Sequence, residues 1–261
     1  MSELKIRLDP LNPGQVYACC GLAELAACHN PGVLSRFEST PGRPRLSSFY
    51  LHGVPATFLA DTLSELRNQA KSLTFDNNVE PGVSPVTVSF ADRRLTFDWW
   101  LDQFRDKAVP LKCWAGQVTT RKLFEELLGL LDNSSTGSDL FEKSQLTKSK
   151  FGVDPRAAWN ARDYGYSPNE HGKDSATFIA VEVLAAIGLQ TFRPEVKKRI
   201  AHYCLWHCDL PLCLARTASV SPWDGLLHRK LQFSIASRGQ SYKYFKFSER
   251  PKSTSSKGEK T

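Results

Sequence analysis

The amino-acid sequence predicts an α+β protein with mainly antiparallel sheet and packed helices. Segments in which apolar residues recur every three or four positions indicate helices, and segments in which apolar and polar residues alternate indicate strands. These segments do not follow the regular strand–helix–strand order that is typical of a parallel sheet. With 261 residues, of which 41% are hydrophobic and 23% charged, the chain is long enough to bury a sizeable core.

The N-terminal part predicts a strand and two helices. Residues 5–8 indicate a short strand, which the Asp-Pro and Asn-Pro-Gly turns after it terminate. Residues 15–28 indicate a buried helix, and its small side chains allow a neighbouring element to approach closely. Residues 58–70 indicate a second, amphipathic helix.

The middle of the chain predicts two strands and two more helices. Residues 86–90 and 94–99 indicate strands on either side of a turn, and residues 119–131 a helix capped by Thr119 or Thr120. A strongly apolar helix follows over residues 176–187. We expect Asp174 or Ser175 to cap this helix and Gly188 to end it.

The chain is expected to form one folded domain and a tail. Residues 230–235 and 241–247 indicate a hairpin, which closes a single α+β domain over residues 1–249. The turn-rich stretch 133–139 (NSSTGSD) is the one candidate for a boundary inside it. Residues 250–261 are polar and rich in lysine and serine, and we expect a disordered basic tail there.

The excess of positive over negative charge lies entirely in the last quarter of the sequence. Residues 193–261 contain 14 Lys/Arg and 5 Asp/Glu, a net charge of +9, whereas residues 1–192 contain 20 and 22, a net charge of −2. Aromatic residues are interleaved with these cations. A surface of this kind favours RNA or single-stranded nucleic acid, because cations pair with phosphates while rings stack on bases. The alternative is a solvated tail next to an ordinary half-buried strand.

The sequence gives little sign of secretion, membrane insertion or catalysis. It lacks a long uncharged apolar run, its first ten residues do not resemble a signal peptide, and seven cysteines are an odd number. We therefore expect a cytoplasmic protein without membrane contact. We find no Ser-His-Asp or HExxH signature, and expect no enzymatic activity, catalytic residue or cofactor.

One cluster of potential metal ligands comprises His202, Cys204, His207 and Cys208. Zinc prefers thiolates and imidazoles, but the spacing here is loose and a second cysteine pair at a finger-like distance is missing. Cysteine also commonly serves as a small buried apolar residue. We therefore expect no metal site, and a metal-dependent nuclease or RNA-processing factor remains the alternative function.

The tryptophan-rich segments FDWW (residues 97–100) and KCWAGQ (112–117) allow more than one role. Their rings lie next to cations and amides in the sequence and are able to stack on bases. Tryptophan is more often a core or interface residue, which suits a subunit of an assembly equally well.

Several segments together resemble a family of CRISPR-associated proteins. They extend, in one order, from residue 12 to about residue 245: NPGQVYACCGLAEL (12–25), FDWW (97–100), KCWAGQ (112–117), DPRAAWN (154–160), GYSP (165–168), AIGLQTFRP (186–194) and ASRGQSYK (236–243). On these segments the chain resembles the small Csb-type subunit family of subtype I-G (formerly I-U) CRISPR effector complexes.

The resemblance implies a non-catalytic, RNA- or DNA-binding subunit of a crRNA-guided type I surveillance complex that acts in antiviral defence. The implied partners are crRNA, target DNA or both, together with other effector-complex subunits. Two structural roles are compatible with it: an RRM-like (ferredoxin-like) domain of the repeat-associated type, and a large-subunit substitute. A scaffold that contacts only protein subunits is a further alternative.

We expect the predicted C-terminal hairpin to contact nucleic acid. Arg238, Lys243 and Lys246 are the predicted phosphate contacts, and Arg229 and Lys230 support them.

An aromatic residue of the same hairpin is expected to stack on a base. Tyr242 or Tyr244 is the predicted stacking partner, since neighbouring residues of a strand point to opposite faces. Arg156 and Arg162 form a second, weaker basic patch.

Overall fold

Five α-helices are present in the part of the chain that the structure describes. This computed structural model describes residues 2–102, 107–157, 175–221, 227–238 and 242–251. The helices are α1 (Pro13–His29), α2 (Phe58–Asn68), α3 (Thr120–Gly129), α4 (Ile179–Thr191) and α5 (Leu212–Val220). Short 3-10 helices lie at Gln69–Lys71 and Pro155–Ala157.

The strands form antiparallel sheets throughout, which confirms the predicted α+β class. The first seven are β1 (Glu3–Leu8), β2 (Leu34–Ser39), β3 (Ser47–His52), β4 (Thr74–Phe75), β5 (Val86–Phe90), β6 (Arg93–Phe97) and β7 (Leu101–Asp102). The others are β8 (Lys107–Ala108), β9 (Gln145–Thr147), β10 (Ser175–Thr177), β11 (Val196–Lys197), β12 (Ile200–Trp206), β13 (Leu210–Pro211), β14 (Leu227–Arg238) and β15 (Tyr242–Phe245).

The first sheet has the strand order β1-β3-β2-β13. Helix α1 connects β1 to β2, and β3 lies between these two strands, as in the first half of a ferredoxin-like domain. The fourth strand of this sheet, β13, pairs with β2. The outer edge of β1 instead meets the loop at Gly137, whose carbonyl accepts a hydrogen bond from the Arg7 N–H at 2.9 Å. Within the described residues, therefore, the RRM-like arrangement is only partly present.

The second large sheet has the order β11-β12-β14-β15, and a three-stranded sheet has the order β4-β5-β6. Helix α1 packs on the inner face of the second sheet through Tyr17, whose ring lies 5.9 Å from that of Tyr203 and 6.2 Å from that of Phe233. Buried apolar residues of the N-terminal and C-terminal parts join in one core cluster. The hairpin predicted near the C-terminus is present as β14 and β15.

Helices α1 and α4 cross at two glycines. A Cβ atom at Gly21 would lie 2.0 Å from the Leu184 carbonyl oxygen, and one at Gly188 would lie 2.1 Å from the Tyr17 carbonyl oxygen. The expectation that small side chains of α1 allow close approach is confirmed. The prediction that Gly188 ends its helix is wrong, because this glycine serves helix packing and α4 continues to Thr191.

The helix starts agree with the sequence in part. Thr119 caps α3, accepting a hydrogen bond from the Lys122 N–H at 3.2 Å, as predicted. Ser175 does not cap α4, because it lies in strand β10 and the helix begins only at Ile179. Asp174 lies outside the described residues, as do residues 252–261 of the predicted tail.

None of the described helices combines the length and the apolar character that crossing a bilayer demands.

Candidate nucleic-acid interface

The outer face of the second sheet bears two of the predicted contact residues. Along β14, Leu231, Phe233 and Ile235 are buried, so the alternation of a strand places Lys230 on the opposite, outer face. Tyr244 of β15 pairs with Ala236 and lies on the same face. Cation and ring therefore share one face, and the six residues from Lys230 to Ala236 separate them by about 20 Å along β14.

The residue next to Tyr244 points the other way. Lys243 pairs with Ser237, and this pair lies on the face opposite to that of Ala236 and Tyr244. Lys246 follows β15, is exposed, and donates its backbone N–H to the Ser234 carbonyl at 2.9 Å. The predicted hairpin cations thus surround the edge of the sheet rather than covering a single face.

A turn without the usual sequence signature of a tight hairpin turn joins this group. Lys198 and Arg199 form the two-residue turn between β11 and β12, and both are exposed. The Arg199 guanidinium donates to the Ser237 hydroxyl at 2.9 Å, and the Arg199 carbonyl accepts the Ile235 N–H at 2.8 Å. The turn therefore lies next to the end of β14.

We call the cations at this end of the second sheet the basic sheet end. Its members come from β11 and the turn after it, from the last position of β14, and from the start of β15: Lys197, Lys198, Arg199, Arg238 and Lys243. Glu195 forms an ion pair with Lys197 at 3.1 Å, in which both side chains are about three-quarters exposed. Strand pairing thus adds one cation from each of β14 and β15 to the three that β11 and its turn supply.

The Lys198–Arg199 turn has an unusual backbone for these residue types. Its φ angles are +51° and +64°, in the left-handed region. Turns of this geometry favour Asn-Gly, because L-residues with larger side chains are strained there. Two cations occupy the turn at a cost in stability, a combination that is common where a side chain is needed for function.

Two further lysines lie near Lys243. The Lys112 ammonium is almost buried, donates to the Trp114 carbonyl at 3.0 Å, and lies 4.8 Å from the centre of the Trp114 ring. Burial and the nearby Lys243 charge lower the pKa of Lys112. The Lys150 ammonium lies 5.7 Å from the centre of the Tyr242 ring. Both lysines are nearly buried, so they lie beneath the surface next to β15 rather than on it.

A buried carboxylate fixes the segment that follows Lys150. Glu182 of α4 accepts the backbone N–H groups of Phe151 at 2.6 Å, Gly152 at 2.9 Å and Asp154 at 3.2 Å. Burial, and next the Asp154 charge, raise the pKa of Glu182 to about 7, while the hydrogen bonds and Lys150 oppose the rise. The network holds this segment against the C-terminal hairpin.

Gly152 and Cys113 connect the same segment to β15. The Gly152 carbonyl accepts the Phe245 N–H at 3.0 Å, and the Cys113 carbonyl accepts the Lys243 N–H at 2.9 Å. Gly152 has a φ of +84°, and a Cβ atom there would lie 3.0 Å from Cys113 Cβ. Only glycine suits this contact. The position of β15 is therefore set by tertiary hydrogen bonds on its second edge as well as by β14.

Arg156 has internal partners. Its guanidinium donates to the Asp154 carboxylate and to the Phe141 carbonyl, each at 2.7 Å, and lies 3.5 Å from the centre of the Phe178 ring. These contacts give it a structural role in the fold. Arg162, the other residue of the predicted second patch, lies outside the described residues.

Arg229 also has an internal contact. It donates to the Pro44 carbonyl at 3.0 Å, and its pKa is lowered by burial and by the neighbouring Arg250. Lys230, the next residue, is exposed and unlike Arg229 faces outward.

The potential zinc ligands do not come together. His202 is exposed and Cys204 is buried on strand β12, which ends at Trp206, so His207 and Cys208 follow beyond the strand. Across the described residues, no group of three or more His, Cys, Asp or Glu side chains is arranged to hold a metal ion. The metal-dependent alternative gains no support from this geometry.

The tryptophans of the two Trp-rich segments belong to the core. Trp99, Trp100 and Trp114 are each at most 3% exposed, and their rings contact one another with centres 5.4 to 5.8 Å apart. The indole N–H groups of Trp100 and Trp114 donate to the carbonyls of Val83 and Gly82. Of the alternatives that the sequence allowed, core packing is the one observed.

Comparison with known proteins gives no match: no family model, no curated protein and no solved structure matches the chain. Fold class alone does not determine function. The basic sheet end and the outer face beside it are therefore the features of the molecule that bear on its function.

Proposed function

We propose that this protein binds RNA or single-stranded nucleic acid through the basic sheet end and the adjoining outer face of the second sheet, without catalysing a reaction. The observation that supports this most is the convergence of cations from three chain segments at one end of one sheet. Tyr244 and Lys230 extend the same surface along the outer face.

Chemically, such a surface recognises a backbone rather than a sequence. Lys and Arg side chains neutralise phosphates and release counterions, which gives affinity that falls steeply with salt. Rings stack on bases of any identity. Cations that pair with phosphates and rings that stack on bases therefore support binding as the proposed activity of this surface.

The resemblance to the Csb-type family gives this activity a context. We propose that the protein acts in the cytoplasm as a subunit of a crRNA-guided surveillance complex, in contact with crRNA, target DNA or both, and with other subunits. In such complexes base pairing with the guide supplies sequence specificity, and the protein needs to recognise only backbone and shape.

Filter binding across a salt series tests the proposal. The variant Arg238→Ala/Lys243→Ala should bind a labelled single-stranded RNA more weakly, and its log–log salt slope should be shallower by about 1.4, at roughly 0.7 for each lost phosphate contact. The charge-matched control is Arg67→Ala/Lys122→Ala, which removes two exposed cations from α2 and α3.

If RNA affinity and salt slope change equally in both variants, the effect is due to net charge and not to the hairpin. If neither variant changes them, the hairpin is not in the interface. A protein that binds no RNA but associates with the effector subunits would be a scaffold instead.

A further inference from the structure

A groove far from the basic sheet end has its own recognition chemistry. It encloses about 280 Å³ between strand β6, the C-terminal parts of α1 and α4, and the start of α5. The basic sheet end, in contrast, is connected to the N-terminal end of α1, because Gly152 lies against the Lys243 carbonyl and the next residue, Val153, lies against Gly14. Gly14 and Glu24, ten residues apart on α1, are separated by about 15 Å at 1.5 Å per residue.

Strand β6 presents a free edge to this groove. It is the last strand of its sheet and pairs only with β5 among the described strands. Phe90 and Arg93 close the two-residue turn, so hydrogen-bonded pairs recur at every second position from there. Arg94 and Thr96 fall between those pairs, and their backbone N–H and C=O groups therefore point towards the free edge.

The rim of the groove is cationic. Arg93 and Arg94 are exposed, and within the described residues neither has an ion-pair partner. Arg216, also on the rim, is bound to Glu24 through its Nε at 2.7 Å, so the one carboxylate in the lining is already neutralised. Two uncompensated positive charges remain beside an open strand edge.

The floor of the groove is apolar. Leu95, Ile187 and Leu212 line it, and Leu95 lies on the buried side of β6, opposite to Arg94. An extended chain added along β6 would point alternate side chains towards this floor and towards Arg94. A strand edge, an apolar floor and a cationic rim fit an added protein strand better than a nucleic acid, because such a strand pairs with both the N–H and the C=O groups of the edge, whereas phosphates accept only from N–H groups.

We propose that this groove binds an extended segment of a partner protein in which acidic and apolar residues alternate, and that the segment adds to β6 as a further strand. Main-chain hydrogen bonds to Arg94 and Thr96 supply affinity, and the arginines together with the apolar floor supply selectivity. This proposal does not depend on nucleic-acid binding at the basic sheet end.

Fluorescence anisotropy with a labelled heptapeptide of alternating Glu and Val tests it on the full chain. The wild-type protein should bind this peptide, and N-methylation of the peptide's alternate amides that face β6 should abolish binding while leaving its charge unchanged. Arg94→Glu should weaken binding of the Glu–Val peptide about tenfold, and a Lys–Val peptide should recover affinity for this variant. The denaturation midpoint of Arg94→Glu establishes that it is folded.

Three results would overturn the proposal. The first is no binding of the Glu–Val peptide by the wild-type protein at millimolar concentration. The second is equal binding of the N-methylated peptide. The third is a loss of affinity for labelled single-stranded RNA in Arg94→Glu without any change for the peptide, which would assign the groove to nucleic acid.

Discussion

Replacing the Lys198–Arg199 turn by Asn-Gly should raise the stability of the protein and at the same time weaken its binding of nucleic acid. Both residues have left-handed φ angles, +51° and +64°. This conformation costs an ordinary L-residue roughly 1 kcal/mol, and Asn-Gly is the favoured pair for such a turn. The substitution therefore relieves about 1–2 kcal/mol of strain.

The loss of one hydrogen bond offsets part of this gain. Arg199 donates to the Ser237 hydroxyl at 2.9 Å on the surface, a contact worth about 0.5 kcal/mol. The free energy of unfolding of Lys198→Asn/Arg199→Gly should rise by about 1 kcal/mol, which corresponds to a Tm increase of about 2–4 °C for a chain of this size. Urea denaturation measures the first quantity and thermal unfolding the second.

The same substitution removes two cations from the basic sheet end. Anisotropy of a labelled single-stranded RNA between about 50 and 200 mM KCl should show weaker binding and a salt slope shallower by about 1.4. The matched control is Ala91→Asn/Asp92→Gly in the turn between β5 and β6, where φ is +48° and +60°. This control should gain stability without losing affinity.

The reasoning would be refuted if the turn variant kept the wild-type affinity and salt slope. Stability that falls in both turn variants would refute the assignment of strain instead. The two measurements therefore separate the functional part of the argument from the conformational part.

Two further predictions concern the core. The folded-state pKa of Glu182, about 7, lies above the ordinary value of 4.5, so between these pH values the folded protein binds more protons than the unfolded chain. The free energy of unfolding should therefore fall as pH rises from 4.5 to 7. Urea denaturation at pH 5, 6 and 7 should show this fall in the wild-type protein and not in Glu182→Gln. Gly188→Ala should destabilise the protein by several kcal/mol, since its Cβ would lie 2.1 Å from the Tyr17 carbonyl oxygen, whereas Gly129→Ala, which has open space, should be neutral or stabilising in the same assay. These expectations would be contradicted if the free energy of unfolding depended on pH in the same way in Glu182→Gln and wild type, or if the two glycine variants were equally stable.

The elements that the sequence predicted correctly are those with a strong local signal. Helices α2 and α3 have apolar periodicity, α3 has a threonine cap, and α1 is apolar on nearly every side and begins at a proline. These signals depend only on neighbouring residues. The hairpin of β14 and β15 likewise has partners close in the chain. The role of Gly188 was predicted wrongly because its packing partner, α1, lies more than 160 residues earlier in the chain. The sequence alone does not distinguish a glycine at a helix crossing from a glycine that ends a helix.

Strands with distant partners were harder to predict. Strand β12 contains His202 and Cys204, which suggested metal ligands, but its identity as a strand depends on pairing with β14 about 30 residues later. Tertiary pairing thus decided β12. Strands β2 and β3 pair with each other across a short loop, from Ser39 to Ser47, so the distance between partners does not explain why the sequence pattern left them unpredicted.

The charge distribution of the sequence predicted the region of the candidate site, but not which residues form it. Arg156 and Arg229 counted as surface cations in the sequence, and the structure gives them Asp154 and the Pro44 carbonyl as partners. Lys198 and Arg199 were not singled out, because a Lys-Arg pair lacks the Asn-Gly or Asp-Gly signature of a tight hairpin turn. A run of three cations, Lys197 to Arg199, was the one available signal.

The most direct test of the proposed function is to locate bound RNA on the protein. Single-stranded RNA containing 4-thiouridine, crosslinked to the full chain and mapped by mass spectrometry, should attach to peptides that contain Tyr242, Tyr244 or the Lys198–Arg199 turn. Crosslinks confined to the outer face of the first sheet, around Lys5 and Tyr50, or no specific crosslink at all, would contradict nucleic-acid binding at the basic sheet end.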